Sequence, residues 1–90
     1  RYNREGQYYI VTWTNHGNPA DYSLRLDYRQ GNTREKVKTI TIPYPNAEGT
    51  FKGTFSVTGD DYYMDGGVLS WRISVVRNGQ IVAQKKSFVW

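Results

Sequence analysis

One stretch limits the fold more than any other. Residues 68–77, Val-Leu-Ser-Trp-Arg-Ile-Ser-Val-Val-Arg, run into Asn78-Gly79 and return through Gln80-Ile81-Val82-Ala83 toward Phe88 and Trp90. An Asn-Gly pair between apolar runs is the strongest short-range hairpin signal, because both central residues of a tight hairpin turn need positive φ and these types tolerate it best. Leu69, Trp71, Ile73 and Val75 alternate with Ser70, Arg72 and Ser74, so this strand is expected to bury one face and wet the other. Beyond the turn, Val82, Phe88 and Trp90 share a parity with Gln84 and Lys86. Two registers fit. Either a plain two-residue turn sets Lys86 opposite Trp71, its stem over the indole, or a bulge shifts the return strand.

The same period recurs upstream. In 7–14, Tyr9, Val11 and Trp13 share a face while Tyr8 and Ile10 occupy the other, as in a strand that is central or covered by a partner. Asn15-His16-Gly17-Asn18-Pro19 is dense in turn formers and is expected to end it. Residues 21–29 alternate most cleanly, with Tyr22, Leu24, Leu26 and Tyr28 on one side and Ser23, Arg25, Asp27 and Arg29 on the other. Residues 34–42 begin charged and end apolar at Ile40 and Ile42; the opposite parity of Val37 implies a bulge or a change of sheet. Pro43-Tyr44-Pro45-Asn46 is expected to stop this strand. In 50–57, Phe51, Phe55 and Val57 point inward, and Gly53 on the same face leaves room for a bulky neighbour, with Trp71 the expected one. The stretch from Gly59 to Gly67 reads as an irregular loop. No apolar pattern of helical period appears, so the expectation is six antiparallel strands with short connections, a sandwich or small barrel. Up-and-down connectivity would gather 15–20, 43–49 and 78–79 at one end and 30–33 and 59–67 at the other.

Ninety residues make a single domain, 1–90, whose polar first six residues are expected to fray like the tail of a linker. A chain this short buries only about 60–65 % of its unfolded surface, so each large side chain matters. Eight Tyr, three Trp and three Phe supply them. The absence of Cys fits a reducing cytosol or a bacterial envelope protein. A net charge of +4 mildly favours acidic partners and is modest for a dedicated nucleic-acid binder, which makes nucleic acid an unfavoured partner. No apolar stretch approaches the ~20 residues of a membrane span. The chain begins at Arg1 without a signal-like segment and is taken as a piece of a larger protein.

The segment Asp65-Gly66-Gly67-Val68-Leu69-Ser70-Trp71 resembles the approach to strand F of immunoglobulin-type domains, where the pattern is Asp-x-Gly/Ala-x-Tyr-x-Cys. Asp65 and Gly67 match; Leu69 stands at the corner-tyrosine position and Trp71 at that of the cysteine. With an Asn-Gly F–G turn and no cysteine, the chain is more similar to fibronectin-III-like or bacterial immunoglobulin-like domains than to antibody domains. The resemblance implies an antiparallel β-sandwich of six to seven strands. The first strand would be missing, leaving an unpaired edge that another segment can complete.

Catalytic provision is poor, and no enzyme is expected. His16 is the one histidine, set in a turn without a positioned partner, and no Ser lies in a Gly-x-Ser-x-Gly context. No zinc spacing, phosphate loop or dinucleotide fingerprint is present, so no metal or cofactor is expected. Asp60, Asp61 and Asp65 do not match the EF-hand spacing and fit turns and caps better than a calcium loop. Arg29, Arg34, Lys36 and Lys38 form a candidate basic patch beside Tyr28, which the acidic 59–67 loop at the same end would neutralise. Tyr62, Tyr63 and Met64, with Trp13 and Trp90, form the candidate interaction surface, since such side chains are enriched at interfaces and sugar platforms. Alternatively the Tyr62-Tyr63 loop plugs the open end of the fold. The leading expectation is a non-enzymatic interaction or structural module, one domain of a bacterial periplasmic or surface protein. It would bind a protein partner or a neighbouring domain through a strand edge or the Tyr62-Tyr63 loop. Carbohydrate binding by exposed Tyr and Trp is the runner-up.

Overall fold

Alternation and β-branched or aromatic side chains carry the chain into four strands. The computed structural model describes residues 6–33 and 35–90; the expected linker, apart from Gly6, and Arg34 lie outside the described residues. The strands are β1 (Gly6–Gln30), β2 (Lys38–Thr58), β3 (Val68–Arg77) and β4 (Gln80–Lys86), with a helix α1 (Gly59–Asp65) between β2 and β3. They form one antiparallel sheet in the order β2-β1-β3-β4. The fold is all-β, but the expected breaks at 15–20 and 43–49 do not separate strands. Residues 7–14 and 21–29 are two halves of β1, and 38–42 and 50–57 belong to β2. The ladder is thus four-stranded, not six- or seven-stranded. No described helix is long and apolar enough to cross a membrane.

The turn formers bend the strands instead of ending them. A straight strand of 25 residues would run roughly 80 Å, yet the longest dimension of the molecule is 42 Å. The ladder between β1 and β2 slips at Asn15 and Ala20. There the Asn15 side chain accepts from Gly17 N–H at 3.0 Å and donates to the carbonyls of Asn18 and Ala47 at 2.9 and 3.1 Å, a local Asx-type turn inside the strand. Pro43 and Pro45 are tolerated because β2 is an edge strand. Residues 6–15, paired with 49–58, consequently fold back over the sheet made by 20–30, 38–47, β3 and β4. Ring contacts mark the closure: Tyr9 meets Trp71 at 5.7 Å, and Tyr22 meets Phe51 at 5.3 Å. Between the layers lie Leu24, Leu26, Phe55 and Val57, each at most 1 % exposed.

Both ends gather the connections that the sequence assigns to them. At one, Asn78 N–H donates to the Asp21 carbonyl at 2.7 Å, and Asn46 N–H to the Asp21 carboxylate at 2.8 Å. At the other, Gly31 N–H donates to Gly67 and Asn32 N–H to Asp65, while the wholly buried Gln30 donates to the carbonyls of Asp61 and Gly66.

Several local expectations are corrected. The stretch 59–65 is helical; with seven residues it is too short to display a period. Val37 precedes β2 and occupies no bulge. Leu69 is the extra residue where Arg29 pairs Ser70 and Gln30 pairs Val68, so it faces solvent at 61 % exposure while Val68 packs inward. Of the two registers left open for the return strand, the bulged one is found: a bulge at Val82 sets Arg72 opposite Lys86, while Ser87 N–H donates to the Trp71 carbonyl and Trp71 N–H to Ser87 Oγ. A Cβ on Gly53 would meet Tyr44 Oη and Leu24 Cδ1 at 2.7 and 2.8 Å; the neighbours of that gap are these, not Trp71. The outer face of β1 and β3, expected to be wet, buries Asp27, Ser70 and Ser74. Asp27 accepts from Thr39 at 2.7 Å and from Arg72 at 3.1 Å, and Trp90 lies against the Arg29 and Arg72 guanidiniums.

Candidate functional site

Folding β1 back leaves its first half with a partner on one side only. Residues 6–15 pair with β2, whereas β3 pairs with 22–30, and the opposite rim of 6–15 meets no strand among the described residues. Beneath that rim opens a groove of about 590 Å³. Tyr9, Val11 and Trp13 line its upper side, and Trp71, Ile73 and Ala83 the floor. Lys85, paired with Ile73, stands on the same face at the margin. Next to Tyr8, Gln7 Oε1 accepts from Val68 N–H at 2.6 Å.

The lining is fixed by its surroundings. Gln7 reaches Tyr9 Oη at 3.4 Å, and burial pushes the Tyr9 phenol above its ordinary pKa, which keeps it protonated and neutral. Trp71 is held through its backbone by Ser87 and through its ring by Tyr9. Trp13 buries its indole N–H, which meets no hydrogen-bond partner among the described residues. Among the described residues the lining is largely aromatic and apolar, with Lys85 its one charged side chain.

The residues singled out in the sequence do not form one surface. Trp13 lies in the groove. Tyr62, Tyr63 and Met64 sit on α1, where Tyr63 and Met64 are 59 % and 72 % exposed, Tyr62 is half-buried and the two tyrosine rings meet edge to face. Trp90 is on the outer face, its carbonyl accepting from Arg29 at 2.8 Å. The basic residues are equally dispersed. Arg29 is committed to Trp90, Lys36 is exposed, and Arg34 lies outside the described residues. Lys38 donates to Asp61 at 2.6 Å and also to Asp65, so its charge is matched within the fold. Asp61 also accepts from Tyr28 Oη at 3.0 Å. Burial alone would raise the Asp61 carboxyl, but bonds from Lys38 and Tyr28 hold it below the usual carboxylate range. Lys38 is raised by the same pair of carboxylates. His16 is exposed in the bend. Among the described residues no three His, Cys, Asp or Glu converge as a metal site.

No protein-family model, curated protein or solved structure matches the chain. The immunoglobulin-like resemblance of residues 65–71 therefore has no support from comparison, and the groove must be judged on its own geometry.

Sequence reasoning found Trp13 but not Tyr9, Trp71, Ile73 and Lys85 as its companions. One signal was present. Residues 6–14 are apolar or aromatic on both faces and carry no charge and no proline, which is unusual for an edge.

Proposed function

We propose that this domain is a non-enzymatic interaction module that accepts an extended segment of a protein partner beside residues 6–14 of β1. One observation carries the reading, a contrast between the exposed edges. β2 carries Pro43 and Pro45 in its first half, and β4 carries Lys86 and the Val82 bulge, devices that discourage strand addition. The rim of β1 has none of them and overhangs an apolar floor. An added strand would lie alongside the rim and lay alternate side chains onto Trp71, Ile73 and Ala83. In this reading the doubled sheet is an incomplete immunoglobulin-like sandwich, part of a larger envelope or surface protein of a bacterium. The lack of cysteine and the aromatic-rich scaffold support that setting.

The test is a display library of twelve-residue peptides, followed by tryptophan fluorescence titration of selected sequences with the whole domain. Binding that is lost when alternate backbone nitrogens of the peptide are methylated supports strand addition. Binding indifferent to methylation overturns it. The aromatic groove also favours a second reading, a carbohydrate subsite formed by Tyr9, Trp13 and Trp71. A saturable fluorescence shift with oligosaccharides, and none with any peptide, would establish that reading instead.

A further inference from the structure

Resting on the strand-addition reading, we infer that the accepted segment is acidic: an extended strand with apolar side chains facing inward, except for one carboxylate that meets Lys85. Among the described residues that line the groove, Lys85 is the one that carries a formal charge. Lys85 pairs Ile73 across the β3–β4 ladder, and the side chains of paired residues share a face. Its stem therefore lies along the apolar floor and its ammonium reaches the margin. Among the described residues it forms no ion pair, in contrast to Lys38, which holds two carboxylates. A strand laid beside β1 sends every second side chain toward that floor. One such position falls over Lys85, where a cation beside an apolar wall favours a carboxylate over a neutral or basic group.

A second copy of this chain fits less well. Its own unguarded strand, residues 6–14, contains no acidic residue to meet Lys85, and two domains of charge +4 repel. The competing account of Lys85 is that an inward-pointing charge merely guards the β4 edge against pairing. The two accounts predict opposite behaviour from the same variant.

The experiment uses twelve-residue peptides alternating Val and Ser, with a single Glu, Gln or Lys scanned through the Val positions, titrated against the wild-type domain and its Lys85→Gln and Lys85→Glu variants. Tryptophan fluorescence reads binding, and light scattering reads the mass of the free domain. One Glu position should bind about two- to fivefold tighter than its Gln counterpart, the range of a solvent-reachable ion pair, and lose the advantage at high salt. Lys85→Gln should abolish the preference, and Lys85→Glu should transfer it to the Lys peptide. If Glu and Gln peptides bind equally to every form, the acidic assignment falls while strand addition stands. If Lys85→Gln leaves the preference intact and the free domain now self-associates, Lys85 is an edge guard and the assignment likewise falls. If no peptide binds and the wild-type domain is itself a dimer, the occupant is a second copy and the strand-addition reading for a foreign partner fails with it.

Discussion

Asp21 and Asn78, 57 positions apart, hold each other by two hydrogen bonds, Asn78 N–H to the Asp21 carbonyl and Asp21 N–H to Asn78 Oδ1. Asp21 also takes Asn46 N–H on its carboxylate, so three separate turns are tied at one point. Asn78 performs this from a positive φ of 48°, a conformation that costs most residues about 1–2 kcal/mol. Asn78→Ala should therefore lower stability by about 1–2 kcal/mol, from strain plus the lost side-chain bond. Asn78→Gly loses the bond without the strain and should cost less. Urea denaturation midpoints of the two variants give the order; equal midpoints would show that backbone strain contributes nothing here.

Gly53 makes a different kind of demand, on space. Leu24 Cδ1 and Tyr44 Oη occupy the site of its missing Cβ, and Leu24 is wholly buried with no room to retreat. Gly53→Ala should cost about 1–3 kcal/mol by overpacking. Adding Tyr44→Phe removes one of the two clashing atoms, so the double variant should cost less than the sum of the single changes, as a double-mutant cycle measures.

Much of this architecture was legible because two-residue periodicity is local. Tyr22, Leu24, Leu26 and Tyr28 are all buried, and Asn78-Gly79 turns as its residue types require. What escaped was non-local or too short. Asn15–Pro19 and Pro43–Asn46 have the composition of strand ends, but turn formers also serve as bends when the ladder continues on the far side, and only the partner strand decides which. Leu69 and Val82 are bulge residues, set by how neighbouring strands twist and not by their own character. The groove escaped for the same reason: Tyr9 and Trp71 lie 62 positions apart and meet only because the sheet folds back.

Acid should weaken the fold below about pH 4. Burial raises the Asp27 carboxyl, but hydrogen bonds from Thr39 and Arg72 and the charges of Arg25 and Arg72 outweigh it, so its folded pKa lies below the ordinary 3.8. Asp61 is lowered likewise. A carboxyl with a depressed folded pKa contributes stability that is present above its unfolded pKa and lost as pH falls through the folded one. Denaturant midpoints should hold steady near neutrality and drop in acid, with a smaller drop for Asp27→Asn. A midpoint flat down to pH ~2.5 would contradict this account of both carboxylates.

Alkali should reveal Tyr28 as a late-ionising group. Burial, then the bond to Asp61, pushes Tyr28 up to about 12, with Lys38 offsetting only part of the rise. Tyr28 thus contributes stability below its ordinary pKa of 10.0 that is lost as pH climbs toward about 12. An absorbance titration of tyrosinate should show a late-ionising group, and Tyr28→Phe should remove that step while leaving the earlier ones in place.

The uneven protection of the described rims also bears on what strand addition, as proposed, would allow the domain to assemble into. A β-domain with two receptive flanks can recruit copy after copy and grow into a fibril. In the proposed reading, with prolines on the β2 flank, Lys86 and a bulge on the β4 flank and one receptive margin on β1, each molecule would be joined once and no further. Under the proposed strand addition, association would end once that margin is filled, so a chain rich in tyrosine and tryptophan would keep one receptive seam without polymerising.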